Sequence, residues 1–186
     1  MIDLIQCFEK FPVIAAVRNN LDFEYALNSR VVVFFILNGN IFTLKQIMKA
    51  SKKHNKLIFL HIDLIKGVGK DSEGVMYLAK KELCHGIVTT KSNLIEVAKS
   101  EGLITIQRLF LLDSAALKTG RHLLKQHRPD AIEILPGIAA PYFIEHLCEK
   151  LFCPVIAGGL ISSKREIEEL FKRKVLAVST SKKEFW

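Results

Sequence analysis

The chain has 186 residues, of which 49% are hydrophobic, and this composition predicts one domain, residues 1–186, around one sizeable core. No apolar run reaches the roughly 18 residues that a membrane span needs, and the first residues lack the pattern of a signal peptide, so we expect a cytoplasmic protein with no membrane partner. The formal net charge of +8 favours an anionic partner, either a nucleic acid or a phosphorylated metabolite.

Short apolar runs recur along the whole chain. Most are rich in valine and isoleucine without polar alternation, as in strands that are buried on both faces of a parallel sheet. In chain order they are 12–17, 31–37, 57–62, 86–90, 104–110, 131–135, 154–159 and 175–181.

Helix-like segments separate these runs, with serine or threonine at several of their starts. The segments are 21–29, 43–54, 72–83, 92–101, 114–127, 139–150 and 163–172. This alternation predicts an α/β fold, a compact (β/α)8 TIM-type barrel. Since only five residues follow Ser181, the eighth helix must be truncated, and we expect Phe185 and Trp186 to cover the surface that it would have covered. A doubly wound open sheet is the alternative, but no GxGxxG pattern follows the first strand.

Small residues end the last two strands. Many barrels bind a phosphate between the loops after strands seven and eight, where backbone N–H groups must come close to the anion. The predicted phosphate-binding residues are Gly158, Gly159, Ser179, Thr180 and Ser181. The alternative is a tight turn at the end of a strand, with serines that cap the next helix.

Other polar residues stand at or near the carboxyl ends of the strands, where barrels place their functional groups. The residues predicted to line the mouth or to bind ligand hydroxyls are Arg18, His61, Asp63, Thr90, Gln107, Arg108 and Glu133. Glu133 lies in an otherwise apolar strand, so its carboxylate needs either a cationic partner, Arg108 or Arg18, or a ligand hydroxyl. For His61 and Asp63, a buried pair with no ligand role is an equal alternative.

Catalytic signals are weak. A Schiff-base aldolase needs a lysine inside the barrel, and Lys66 and Lys91 at strand ends are the candidates. The four cysteines show no CxxC spacing, so they are read as small buried hydrophobic residues and no metal site is predicted.

Several of these segments together resemble the glycerol uptake operon antiterminator family. They are VIAAVR (13–18), HIDLIKGVGKD (61–71), GIVTTK (86–91), TIQRLFLLDS (105–114), PDAIEILPG (129–137), PVIAGGLI (154–161) and LAVSTS (176–181). The resemblance implies a transcription antiterminator that is not an enzyme, uses no cofactor, responds to glycerol 3-phosphate and binds the leader mRNA of glycerol-catabolism genes. The chain departs from the family pattern at Asn40, where the resemblance implies an acidic residue. A small barrel aldolase or isomerase acting on a triose phosphate is the alternative function.

Basic residues gather at the C-terminal ends of the predicted helices, which surround the barrel face opposite the mouth. The candidate RNA-binding ring is Lys52, Lys53, Lys80, Lys81, Arg128, Lys172, Arg173 and Lys174. Cations favour helix C-termini in any protein, so this pattern has a structural explanation too. The mouth, with Arg18, Lys66, Lys91 and Arg108, is the other candidate RNA surface, and a homo-oligomer is compatible with the sequence.

Overall fold

Eight parallel strands close into a barrel, as predicted, in the computed structural model, which describes residues 3–147 and 153–186. Each strand pairs with its neighbours in the sequence, and the last strand pairs with the first. The strands are β1 Val13–Val17, β2 Val33–Ile36, β3 Leu57–His61, β4 Gly86–Thr89, β5 Ile104–Phe110, β6 Ala131–Leu135, β7 Val155–Gly158 and β8 Ala177–Thr180.

Within the described residues, one helix precedes the barrel and seven helices alternate with its strands. They are α1 Leu4–Lys10, α2 Asn20–Leu27, α3 Leu44–Lys53, α4 Ser72–Lys80, α5 Asn93–Ser100, α6 Ser114–His127, α7 Ala140–Glu145 and α8 Lys164–Lys172. The helix predicted over 139–150 is observed as Ala140–Glu145, and residues 148–152, including Cys148, lie outside the described residues. Two-residue strands, Gly39–Asn40 and Ile65–Lys66, pair with each other at the mouth.

The strand residues that alternate inward fill the barrel with apolar side chains. This inner cluster includes Ile14, Val33, Phe35, Phe59, Val88, Ile106, Ala131, Ile156 and Ala177. The residues between them point outward and pack against the helices in two further clusters. Because both faces of each strand are buried, apolar and polar residues do not alternate along the strands.

Helix α1 closes the barrel at the amino ends of the strands. Its Leu4 and Phe8 are buried in the inner cluster, and Asp3 caps the helix by accepting hydrogen bonds from the N–H groups of Ile5 and Gln6. The polar end of the barrel interior is therefore the opposite one, at the carboxyl ends of the strands.

A 3-10 turn, Lys183–Phe185, follows β8. The next residue, Trp186, is only 8% exposed and packs in the outer cluster beside α2 and β1. Its indole Nε1 donates a hydrogen bond to the carbonyl oxygen of Thr180, 2.9 Å away. Trp186 thus covers the outer cluster at this point, and its hydrogen bond holds the end of β8 in place.

Replacing Trp186 should therefore destabilise the whole barrel. We expect Trp186→Ala to lower the free energy of unfolding by about 3–5 kcal/mol, because it leaves a large cavity in the outer cluster. Trp186→Phe keeps most of the packing and should lose about 1–2 kcal/mol with the hydrogen bond. Urea denaturation followed by circular dichroism measures both, and equal losses in the two variants would contradict the packing role.

Candidate functional site

Four neighbouring strands carry polar or small residues inward at the mouth. Strand pairing sets Arg108 of β5 beside Glu133 of β6, and Gly158 of β7 beside Ser179 of β8. All four continue the inward alternation of the apolar inner cluster, one layer nearer the mouth. This layer is where the barrel interior changes from apolar to polar.

A buried ion pair organises this layer. The Glu133 side chain is fully buried, and its Oε2 accepts a hydrogen bond from Nε of Arg108 at 2.6 Å. Its other oxygen, Oε1, accepts a hydrogen bond from the Ser179 hydroxyl at 2.5 Å. Both carboxylate oxygens are therefore satisfied, as a buried charge requires. Of the two predicted cationic partners, the structure selects Arg108.

The two glycines at the end of β7 have different structural roles. A Cβ on Gly158 would lie 2.5 Å from Oε1 of Glu133 and 2.7 Å from Oγ of Ser179, so the missing side chain makes room for the carboxylate. Gly159 has a φ of +74°, a left-handed conformation that favours glycine. Its carbonyl oxygen accepts a hydrogen bond from the N–H of Gly137 at 3.1 Å, which ties the β7 loop to the β6 loop.

A cavity of about 420 Å³ opens directly above the ion pair. Its walls come from strand ends and loops on the β1, β2 and β5–β8 side of the mouth. They are Ala16, Arg18, Leu37, Arg108, Glu133, Leu135, Gly159, Leu160, Ile161, Ser162, Ser179, Thr180, Ser181 and Lys182. The volume is within the range of small-molecule sites, about 300–1,000 Å³.

Lys182 and Ser162 belong to this cavity and were missed by the sequence analysis. The Lys182 ammonium donates a hydrogen bond to the carbonyl oxygen of Ser162 at 2.9 Å, so it joins the loops after β7 and β8. The N–H and hydroxyl of Ser162 are both bound to the Glu166 carboxylate. The available signal was a lysine directly after the serine-rich end of β8, but lysines at strand ends are common and their direction is not visible in the sequence.

The three predicted phosphate-binding hydroxyls differ in whether they already have a hydrogen-bond partner. The Ser179 hydroxyl is bound to Glu133, and Thr180 Oγ1 accepts the N–H of Lys182 at 3.2 Å. The Ser181 hydroxyl has no hydrogen-bond partner within residues 3–147 and 153–186, and it lines the cavity. Ser181 and Lys182 are thus the side chains best placed to receive an anion here.

The other side of the mouth contains a hydrogen-bond network in which, among the described residues, only the buried Gln107 Oε1 lacks a partner. Asp63 accepts hydrogen bonds from the hydroxyls of Thr89 and Thr90, both at 3.0 Å, and from the N–H of Thr90 at 2.8 Å. The Gln107 amide donates to the carbonyl oxygens of Thr89 and Thr90 at 3.2 and 3.1 Å. None of these residues is among those that line the cavity. Ligand contact by Asp63, Thr90 and Gln107 stays a prediction, while their role in fixing the β3 and β4 loops is visible.

His61 lies between the two sides of the mouth and is kept neutral. Its side chain is buried, its Nδ1 has no hydrogen-bond partner among the described residues, and Asp63 Oδ2 is 3.7 Å away. Burial, followed by the positive charge of Arg108, lowers the pKa of His61 to about 4. His61 is therefore uncharged near neutral pH and can accept or donate one hydrogen bond.

The predicted basic ring lies around the opposite face of the barrel, but several of its members are paired. Ion pairs join Lys52 to Glu82 at 3.2 Å, Lys172 to Glu169 at 2.8 Å and Arg173 to Glu145 at 2.6 Å. Lys53, Lys80, Lys81, Arg128 and Lys174 are exposed on the same side of the molecule. RNA binding by this ring stays a prediction.

The fold and the cavity define a class: a TIM-type barrel with a small polar site at the carboxyl ends of its strands. Comparison with known proteins places the chain within that class. Residues 13–186 match the sequence model of the family described as glycerol-3-phosphate responsive antiterminator. The chain belongs to this family, which is a family of regulators and not of enzymes.

Individual relatives agree with this assignment. The glycerol uptake operon antiterminator regulatory protein of Listeria monocytogenes is 34% identical, with a TM-score of 0.88 and 95% of each chain covered. A glycerol uptake operon antiterminator-related protein of Thermotoga maritima is 32% identical, with a TM-score of 0.83, and covers 94% of this chain and 96% of its own. The uncharacterized protein YgcP of Escherichia coli is 33% identical over 183 residues, which are 98% of this chain and 95% of that protein.

Aldolases share the fold at much lower identity. A deoxyribose-phosphate aldolase from Coccidioides immitis has a TM-score of 0.72 at 9% identity, covering 94% of this chain and 82% of its own. This likeness shows the barrel and nothing about the chemistry. In the part of the chain that the structure describes, no group of three His, Cys, Asp or Glu side chains could hold a metal ion. The helices described there are also too short or too polar to cross a membrane.

Removing one member of the buried ion pair should cost more than removing both charges. We expect Arg108→Met to lower the free energy of unfolding by about 3–5 kcal/mol, since it leaves the Glu133 carboxylate buried without its cation. Adding Glu133→Gln should restore a large part of that loss. Urea denaturation of the two single variants and the double variant gives the coupling energy. Additive losses would show that the two side chains do not depend on each other.

His61 should make the protein less stable in mild acid. Its folded-state pKa of about 4 lies below the ordinary value of about 6.5, so the unfolded chain binds a proton first as the pH falls. Stability is therefore present at neutral pH and lost as the pH drops from about 6.5 towards 4, by about 2 kcal/mol between pH 7 and pH 5.

Urea denaturation at both pH values, compared with a His61→Gln variant, isolates this contribution. The other titrating groups are common to both proteins, so their effects cancel in the difference. An equal loss of stability in the variant would assign the acid sensitivity to other residues.

Proposed function

We propose that this chain senses glycerol 3-phosphate at the mouth of the barrel and, in response, binds the leader mRNA of glycerol-catabolism genes to prevent premature termination. One observation carries the proposal. A buried Glu133–Arg108 pair forms the floor of a small cavity whose rim carries Lys182, Ser181 and the Gly159 turn. The family assignment and the regulatory description of the Listeria relative support the same function.

The two ends of the cavity suit the two ends of this effector. The phosphate fits the rim between the β7 and β8 loops, where the Lys182 ammonium and the Ser181 hydroxyl can donate hydrogen bonds. Gly159 contributes backbone but no side chain to this part of the rim, whereas Gly158 lies behind it against Glu133 and Ser179. The glycerol hydroxyls fit the floor, where the Arg108 guanidinium, held in place by the buried Glu133, can donate hydrogen bonds.

The cavity offers binding groups but lacks the group that the alternative enzyme would need. Along the eight strands of the barrel, all within the described residues, no inward-facing position is a lysine. Lys66 and Lys91 are both exposed, and the Lys91 ammonium donates a hydrogen bond to the carbonyl oxygen of Lys70 at 3.0 Å. Schiff-base chemistry uses a lysine that is held inside the barrel against the substrate, and neither of these lysines lies there. Sodium borohydride treatment with dihydroxyacetone phosphate should therefore leave the mass of the protein unchanged.

Effector binding regulates only if the effector prefers the RNA-binding conformation. The affinity ratio for the two conformations limits how far the equilibrium can shift. The loops after β6, β7 and β8 meet around the cavity through the Gly137–Gly159 and Lys182–Ser162 hydrogen bonds. These are the loops that a ligand in the cavity would draw together. Fluorescence anisotropy of a labelled glycerol-operon leader RNA, with and without glycerol 3-phosphate, tests the coupling, and equal affinities would overturn it.

Lys182 provides the sharpest test of the effector site. We expect Lys182→Ala to weaken glycerol 3-phosphate binding about tenfold or more, because a charge-assisted hydrogen bond to the phosphate is lost. Lys80→Ala removes an equally exposed lysine from the opposite face and should bind like the wild type. Isothermal titration calorimetry measures both affinities.

Glycerol alone and inorganic phosphate alone are the matched ligand controls. Weak binding of each fragment, beside tight binding of glycerol 3-phosphate, is expected if the cavity receives both ends of the effector. Equal effects of Lys182→Ala and Lys80→Ala would place the phosphate elsewhere.

A further inference from the structure

We propose that the RNA binds at the mouth, on a surface formed by the loops after β2, β3 and β4, and not on the basic ring of the opposite face. We call this the β2–β4 loop surface, and define it as Phe42, Lys45, Lys66, Lys70 and Lys91. The inference rests on the proposed RNA-binding function and adds where the RNA lies and which side chains it contacts.

A pair of two-residue strands and the turn that follows hold Phe42 out at the mouth. The paired strands Gly39–Asn40 and Ile65–Lys66 join the β2 and β3 loops, and the N–H of Ile41 donates to the carbonyl oxygen of Lys66 at 2.9 Å. The side chain of Asn40 then turns the chain by accepting the N–H of Phe42 at 3.0 Å. Gly67, with a φ of +77°, leaves the space beneath Ile41 that a Cβ would fill at 3.0 Å.

Phe42 is 88% exposed at the tip of this structure. An isolated exposed apolar residue needs no explanation, but this one is held out on a hydrogen-bonded turn among lysines. Aromatic rings in such positions stack on unpaired bases, and this is how many proteins hold single-stranded RNA.

Four exposed lysines surround the same loops, and their ammonium groups are available. Within residues 3–147 and 153–186, no carboxylate lies at ion-pair distance from the ammonium of Lys45, Lys66, Lys70 or Lys91. The bond from the Lys91 ammonium to the Lys70 carbonyl oxygen joins the β4 loop to the β3 loop, and the pairing of Asn40 with Lys66 joins the β3 loop to the β2 loop.

The nearby carboxylates do not cancel this charge. Asp63 is held by Thr89 and Thr90, and Asp71 caps helix α4 through the N–H of Gly74. Glu73, in the first turn of α4, is the remaining exposed acid of these loops. On the opposite face, by contrast, Lys52, Lys172 and Arg173 are already neutralised by glutamates.

This combination fits single-stranded RNA better than a flat basic face does. The lysines can neutralise phosphates, which dominate affinity for any nucleic acid, while Phe42 receives a base. The predicted members of the basic ring include no aromatic side chain, and Arg173, one of its two arginines, is paired with Glu145.

The surface also adjoins the proposed effector cavity. Leu37 and Arg18 line that cavity, and the N–H of Leu37 donates to the carbonyl oxygen of Val17 at 2.9 Å. The next residue, Asn38, donates its side-chain amide to the carbonyl oxygen of Arg18 at 3.1 Å. The short strand that supports Phe42 begins directly after it, at Gly39, so the effector and the RNA would bind on two sides of one strand end.

The test measures binding of a fluorescein-labelled single-stranded RNA of mixed sequence and of a glycerol-operon leader RNA, both with saturating glycerol 3-phosphate. We expect Phe42→Ala to weaken binding about tenfold, through the loss of one stacked base. Phe42→Trp should restore binding, and Phe42→Leu, which keeps the apolar surface but not the ring face, should not. Leu112→Ala, which shortens another highly exposed apolar side chain, is the matched control and should bind like the wild type.

The lysines are tested with two triple variants of equal charge. Lys45→Ala/Lys66→Ala/Lys70→Ala should lower the slope of log affinity against log salt by about 2, as expected for three lost phosphate contacts on a single strand. Lys53→Ala/Lys80→Ala/Lys81→Ala removes three exposed lysines from the opposite face and should leave the slope unchanged. Calorimetry should show wild-type affinity for glycerol 3-phosphate in every variant, which confirms that each is folded.

The outcomes separate this proposal from the proposed function. If the wild type binds the RNA but the Phe42 and mouth-lysine variants bind equally well, the surface is wrong and the RNA-binding function stands. A loss confined to the opposite-face triple variant would transfer the site to the basic ring. If the wild type binds no RNA and instead binds vesicles of phosphatidylglycerol, both the surface and the RNA-binding function are overturned.

Discussion

The mouth of the barrel depends on one buried carboxylate. Glu133 is fully buried among strands that are otherwise apolar, so its charge is tolerated only because Arg108 and Ser179 donate hydrogen bonds to its two oxygens. That requirement determines the neighbours: Gly158 must be glycine because any Cβ would meet the Glu133–Ser179 pair. The cavity floor is thus polar, rigid and already charged before a ligand arrives, and its hydrogen-bonding groups are oriented by one another.

Apolar side chains cover the rest of the barrel. Helix α1 closes the amino ends of the strands with Leu4 and Phe8, and Trp186 packs in the outer cluster beside α2 and β1. With one end filled by apolar side chains, polar chemistry is concentrated at the other. The barrel shares its fold with aldolases, but its inward-facing strand positions carry no lysine. A scaffold known from enzymes is here used by a family of regulators.

The two sides of the mouth differ in a way that suits two ligands. Around β6–β8 the groups converge on a cavity of about 420 Å³, which suits a small molecule. Around β2–β4 the hydroxyls of Thr89 and Thr90 are hydrogen-bonded to Asp63. The lysines and Phe42 of the same loops are exposed to solvent. The ends of β1 and β2, joined by the Asn38–Arg18 hydrogen bond, lie between the two sides. A regulator that binds a metabolite and a polymer needs such a division, because only the polymer must reach an open surface.

The sequence by itself determined the architecture. Valine- and isoleucine-rich runs that alternate with helical segments predict a parallel barrel, because the burial of both strand faces is visible in the local hydrophobic pattern. The need of Glu133 for a cation was also predictable, since burial of an unpaired charge is costly. Only the tertiary structure decided that Arg108 supplies that cation, that Lys182 bridges two loops, and that the charges of the basic ring are partly paired. These outcomes depend on the direction of side chains from strands and loops far apart in the sequence, and no local pattern encodes that direction.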